Sequence, residues 1–342
     1  MIELNEDRLE FHFPEIYPDA RLEITFQRTL RIPDDGTDYP LPPGFGAFPL
    51  RHVDDFAARV PEGWLERGGV VMPMYQSEAM WLNFSSADID GRGDYPFLIK
   101  MAAGKINAVT GEDWIDGVHR DPQDYMVSPE QPWLDGYCVE KGLVRQFVAM
   151  PLGSGYSAEE QLTGEASVGG VQIEVYPMKR EAFERHFPSI ERLTADRARF
   201  SSACQSACQS APPMGAMGLA AGGRMRQEIE EDPYDLADWD LRHSSRCFVH
   251  LANSMVWRSI TGDEPPTTPP TATEYAEAGL PWFEYYSDGK AVGGGERLKK
   301  IKSIAQLGEG KGEVPLPENQ SVTPASVLAL RGGMPAAQVR EW

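Results

Sequence analysis

The clearest pattern in the chain is the run "RLEITFQRTLRI" at residues 21–32. Leu22, Ile24, Phe26, Leu30 and Ile32 fall on one face, and Arg21, Glu23, Thr25, Gln27, Thr29 and Arg31 on the other. Strict period-2 alternation predicts a strand with one buried and one wet face. Only Arg28 interrupts the apolar face, which requires either a bend or a buried ion pair. "GGVQIEVYPM" repeats the pattern and predicts a second half-exposed strand, while "GGVVMPMY", "YPFLIKM" and "VRQFVAMPL" add further β-type runs. Two short helices are expected between them. His52 to Val60 carries Val53, Phe56, Ala57 and Val60 at helical spacing, ended by Pro61. "SAEEQLTG" has Ser157 and Glu160 at capping-box spacing and Gly164 as its stop.

The pattern changes after residue 178. "KREAFERHF" and "SIERLTADRARF" read as helical, and the apolar segment "RCFVHLANSMVW" has no settled period. Thr271 and Glu274 form a second capping box, with Gly279 as the stop. "GLPWFEYYSDGK" reads as an aromatic strand entering an Asp-Gly turn. "TPASVLALRGG" predicts a helix, with Thr323 as cap, Pro324 in the first turn and Gly332 past the end. The expected fold class is α+β: a β-rich, sandwich-like N-terminal part with short connecting helices, plus a smaller mixed α/β C-terminal part. The expected division is a β-rich domain over 1–178, a helical segment and Gly/Cys-containing hinge over 179–230, and a smaller α+β region over 231–342.

Composition narrows the partners. The 342 residues include 33 glycines and 28 prolines, which favours turns and short elements, and the formal net charge is −20. So acidic a chain repels phosphate backbones and anionic lipid, and its longest basic stretch is "RLKKIK". Neither nucleic acid nor membrane is an expected partner. The N-terminal sequence has no basic and apolar leader pattern, no apolar run reaches the ~18 residues of a spanning helix, and four cysteines make no disulfide framework. The expectation is a soluble cytoplasmic protein.

"SSACQSACQSAPPMGAMGLAAGGRMRQEI", residues 201–229, is the most unusual stretch. Cys204 and Cys208 would share a helix face, yet no third and fourth ligand accompanies them, so small-residue packing outweighs a metal site. Gly222, Gly223, Arg224 and Arg226 would form an anion site if a helix began there. The glycine spacing matches no phosphate-binding fingerprint, and a hinge or mobile loop is the leading reading. "ADIDGRGDYPF" imitates a calcium loop, but Arg92 and Ile99 stand where oxygen ligands belong. The carboxylates of "EIEEDPYDLADWD" read as hydrated surface. No metal site is assigned, and no cofactor motif is complete.

Residues 131–164 are the densest in recognition chemistry. Trp133, Asp135, Arg145, Gln146, Tyr156 and Gln161 are the candidate ligand- or partner-binding residues, in a mixture that builds aromatic pockets, contact surfaces or a hydrogen-bonded core. No nucleophile elbow is present, and the six histidines sit in no motif. The functional expectation is a non-catalytic binding or assembly protein, using aromatic and proline-rich loops to meet a protein partner or another copy of itself. The alternative is an enzyme acting on a phosphorylated or carboxylated small molecule held by the arginine–glycine stretch.

Overall fold

A computed structural model describes residues 1–188, 216–285 and 290–330. Its strands are β1 (Ile2–Asn5), β2 (Arg8–His12), β3 (Arg21–Leu30), β4 (Asp38–Tyr39), β5 (Gly44–Ala47), β6 (Arg51–His52), β7 (Val70–Pro73), β8 (Glu78–Ser86), β9 (Phe97–Ala103) and β10 (Ile106–Asn107). They continue with β11 (Met126–Ser128), β12 (Trp133–Leu134), β13 (Gly136–Glu140), β14 (Leu143–Pro151), β15 (Val171–Pro177), β16 (Ala216–Arg226), β17 (Ser245–Ala252), β18 (Pro281–Tyr285) and β19 (Ser326–Leu330). The helices are short: α1 (Glu62–Arg67), α2 (Ala158–Thr163), α3 (Arg180–His186), α4 (Ser254–Thr261), α5 (Ala272–Glu277) and α6 (Ile304–Lys311). The protein is thus β-rich and α+β. Among the described residues no helix is long and apolar enough to cross a membrane.

One large sheet organises the molecule. Its backbone is an antiparallel path β1-β2-β3-β8-β14-β16-β17-β15-β9. The sheet curls so that its two ends share one core. Phe13, just past β2, meets Phe97 of β9 with ring centroids 5.8 Å apart. Leu22, Ile24 and Phe26 of β3 lie in the same buried cluster as Met80 and Leu82 of β8 and Ile173 and Val175 of β15. Each such side chain contributes roughly 1.5–3 kcal/mol through burial. The exception on β3 resolves as an ion pair: Arg28 Nε lies 2.9 Å from Glu78 Oε2. Both side chains are buried, and Arg28 also donates to the carbonyl of Thr267 at 2.6 Å. The sheet crosses the division expected at residue 178, since β15 pairs with β17 and β14 with β16.

Several local expectations hold in detail. Ser157 and Thr271 cap α2 and α5 with complete capping boxes, and Gly164 ends α2 at φ 76°. The unsettled segment 246–257 divides at Asn253, whose side chain caps α4 after β17 ends.

Five expectations are corrected. The helix lies after Pro61, not before it: only Asp54–Phe56 forms a 3-10 turn, and Pro61, at φ −58°, leads into α1, where proline's fixed φ suits a helix start. β15 is buried on both faces, with Gln172 donating to the carbonyl of Gly104 at 2.5 Å. The segment 216–226 is strand β16, neither hinge loop nor helix start. Its glycines exist for closeness: a Cβ on Gly222 would lie 2.7 Å from Val148 Cγ2, and one on Gly223 2.4 Å from the carbonyl oxygen of Pro33. The acidic run after it is partly interior, because Asp232 accepts from Tyr125 Oη at 2.8 Å and Trp239 Nε1 at 3.1 Å. Finally, residues 326–330 are strand β19, parallel to β18. An eight-residue helix there would be marginal alone, and strand pairing overrides the helix preference of leucine and alanine. The expected helix over 189–200, Cys204, Cys208 and the Asp-Gly turn at 288–289 lie outside the described residues.

Candidate functional site

The cleft beside Trp133 is framed by two buried glutamines, Gln131 and Gln227, and a third, Gln123, fastens the adjoining segment. Gln131 donates from Nε2 to the carbonyl of Trp133 at 2.8 Å and accepts from the backbone N of Glu230 at 2.8 Å. Gln227 accepts from the backbone N of Asp135 at 2.9 Å and donates to the carbonyl of Trp133 at 3.2 Å. Gln123 donates to the carbonyl of Glu230 at 3.0 Å and accepts from the N of Asp232 at 2.9 Å. Gln131 and Gln227 staple 131–135 to the segment that follows β16, and Gln123 ties the next part of that segment to residue 123.

On that frame, Trp133 stands half-buried, and Tyr285 of β18 meets it edge to face at 4.7 Å between ring centroids. Leu41 and Pro132 continue the apolar wall, and Glu130, Glu228 and Glu230 supply carboxylates around a cavity of about 260 Å3. The one guanidinium lining it among the described residues, Arg226, already faces Glu284, Nη1 to Oε1 at 3.3 Å. The indole Nε1 of Trp133 donates to Asp135 Oδ2 at 2.6 Å. Asp135 is only 5% exposed. Burial without a cationic partner pushes its carboxyl up to about 7, partly offset by the indole hydrogen bond. Burial likewise raises Glu130, whose Oε1 accepts from Tyr234 Oη at 2.6 Å while its buried Oε2 has no partner.

The other sequence candidates lie elsewhere. Gln146 is fully buried and bridges Ile32 N and the carbonyl of Leu30, at 3.0 and 2.9 Å, so it is an element of the core. Arg145 is 3.5 Å from Asp34 and donates to the carbonyl of Gly222 at 3.2 Å. Gln161 ties α2 to Lys302 through both its amide atoms. Tyr156 donates to Glu313 Oε2 at 2.5 Å beneath the Lys311 ammonium. Gln161 and Tyr156 fasten the C-terminal segment to the sheet. Of the six, only Trp133 and Asp135 belong to the cleft. Arg224 faces Asp38 at 2.8 Å, so both arginines of the expected anion site have carboxylate partners, and no helix start accompanies them. The calcium-like loop is a turn in which Asp88 accepts from Gly91 N and Gly93 N. Among the described residues, no group of three or more His, Cys, Asp or Glu side chains is placed to hold a metal ion.

A second, more open cavity of about 500 Å3 lies across the 230–232 segment, between Arg120–Gln123 and Gly293–Glu296. A small annex of about 170 Å3, sharing Thr110, Glu112, Asp121 and Pro122, holds a half-exposed histidine, His119, whose Nδ1 is 3.1 Å from Asp124 Oδ2. Asp124 also pairs with buried Lys100 at 2.8 Å and accepts from His119 N at 2.7 Å. This orients the imidazole as an Asp-backed base would be oriented. Among the described residues Nε2 has no hydrogen bond to a hydroxyl or thiol. Comparisons with protein-family models, with curated proteins and with solved structures find no match.

Proposed function

We propose that the protein is a non-catalytic binding protein that takes a cationic side chain of a protein partner into the Trp133–Tyr285 cleft, carried on a sandwich-like β scaffold. The observation that carries this reading is the pairing of an indole and a phenol, held edge to face at 4.7 Å, with three glutamates around one small cavity. A cation over an aromatic face gains roughly 0.5–2 kcal/mol, and surrounding carboxylates add long-range attraction. At about 260 Å3 the cavity falls below the usual range of roughly 300–1,000 Å3 for drug-sized ligands, so it suits one guanidinium or ammonium side chain rather than a whole cofactor. Free, buried Cys138 and Cys247 suit a cytoplasmic setting. The alternative, an enzyme gripping an anionic small molecule through Gly222, Gly223, Arg224 and Arg226, is weaker, since both guanidiniums face carboxylates and both glycines are packed against neighbours.

The test is isothermal calorimetry with a short arginine-containing peptide and its citrulline counterpart, which keeps the shape and removes the charge. Binding of the arginine form, at least tenfold weaker for the citrulline form and at least tenfold weaker again in Trp133→Ala, is the expected result. Equal heats for both peptides, or an unchanged affinity in Trp133→Ala, would remove the proposal.

A further inference from the structure

β16 ends at Arg226, but its in-and-out alternation runs on through Glu230. Met225, Gln227 and Ile229 are buried, while Arg226, Glu228 and Glu230 are more open and line the Trp133 cavity. Gln131 holds this stretch against the tryptophan segment. Its Nε2 donates to the carbonyl of Glu228 at 3.3 Å and to that of Trp133 at 2.8 Å, and its Oε1 accepts from Glu230 N at 2.8 Å. Period-2 spacing sets the two glutamates on one side, with their Cα atoms roughly 6.6 Å apart. Arg226, at one end, is engaged by Glu284. Among the described residues neither Glu228 nor Glu230 has an ion pair or a side-chain hydrogen bond. The cavity thus joins an indole face to two carboxylates whose acceptor oxygens are unused.

We infer that the cleft reads arginine rather than lysine, with the guanidinium against the Trp133 indole and its edges donating to Glu228 and Glu230. The inference rests on the cationic reading of the cleft and names which cation it takes. A hydrogen bond from a cationic N–H to a carboxylate is about 2.8 Å long, so one ammonium nitrogen joins acceptors no more than about 5.6 Å apart. Side chains rooted roughly 6.6 Å apart on one face are matched better by a planar group with N–H donors along separate edges. A guanidinium also stacks on an aromatic face and is more weakly hydrated than an ammonium, which favours it between walls of Trp133, Tyr285, Leu41 and Pro132. The indole is already fixed by its 2.6 Å hydrogen bond to Asp135, so its face need not be ordered on binding.

Isothermal calorimetry with peptides that differ at one residue tests it. The residues are arginine, lysine and asymmetric dimethylarginine, which keeps the charge but blocks one edge. Wild type should bind the arginine peptide about fivefold or more tighter than either of the others. In Glu228→Ala with Glu230→Ala, shown to be folded by circular dichroism, the arginine peptide weakens by about fivefold and all three bind within about twofold of one another. A dimethylated or lysine peptide bound by wild type as tightly as the arginine peptide would overturn the inference and leave the cationic reading standing. A preference for arginine that persists in the double variant would overturn the roles of Glu228 and Glu230. Failure of the cationic reading itself would show differently, as arginine and citrulline peptides bound alike, and would take the inference with it.

Discussion

β3 and β19 are both runs of alternating or continuous apolar character, yet they meet opposite fates. β3 lies between β2 and β8 with its even-numbered side chains buried, while β19 has, among the described residues, one neighbour and no buried residue. The difference lies in what faces them. The apolar face of β3 belongs to the same buried cluster as Phe97, Ile99 and Met101 of β9, whereas β19 belongs, among the described residues, to a sheet of two strands, too small to enclose a core by itself. An apolar strand is therefore a stability element only where a second layer faces it; elsewhere it is surface, and available for contact. The Trp133 cleft sits between these regimes, with one wall from the large sheet and the other, Tyr285, from the small one.

Four variants would sharpen that contrast. The largest effect is expected for Phe26→Ala on β3, which opens a void in the shared core; urea denaturation should show a loss of about 3–5 kcal/mol. Next is Asp135→Asn. The folded carboxyl titrates near 7, above the ordinary aspartate value of about 3.9, so the native state holds more protons between these limits. Wild-type stability should therefore fall as pH rises from about 4 to 7 and stay lowered above that. Asp135→Asn removes this term, raising the melting temperature at pH 8 and converging with wild type below pH 4. The gain at pH 8 is on the order of 3 kcal/mol, and parallel melting curves across the pH range would refute it. Third, Glu228→Gln with Glu230→Gln should weaken the arginine peptide by about 1 kcal/mol in calorimetry, and salt should matter less in the double variant. Smallest is Leu328→Ala, which should change monomer stability by no more than about 0.5 kcal/mol in the same urea assay as Phe26→Ala.

The strand content of the fold was legible wherever period or punctuation was strong. The alternation over 21–27, the capping boxes at Ser157 and Thr271 and the aromatic strand at 281–285 all rest on neighbours within a few residues, whereas Thr29 and Arg31, expected on the wet face, are buried. Errors arose where partners distant in the chain decide. β16 contains glycines that speak for a loop locally, but each gap accommodates a strand or side chain from far away, such as Val148. β19 takes its strand form from β18, some 45 positions earlier. The cleft was half legible. Trp133 and Asp135 were two of the six candidates read from 131–164, whereas Tyr285 and Gln227 join them only through contacts spanning about ninety residues or more, which no local pattern announces. Arg145, Gln146, Tyr156 and Gln161 share the composition of a recognition surface but serve the interior and the anchoring of the C-terminal segment.

The cleft itself can be watched directly through its indole. In a two-dimensional nitrogen–proton spectrum, the Trp133 side-chain N–H is identified as the signal missing in Trp133→Phe, and the arginine peptide is then titrated in. The signal of Trp133, hydrogen-bonded to Asp135, should move progressively and saturate, while those of buried Trp257 and Trp282 stay still. A stationary Trp133 signal while the peptide binds, or no response from any indole at millimolar peptide, would contradict the assignment of this cleft as the cation-binding site.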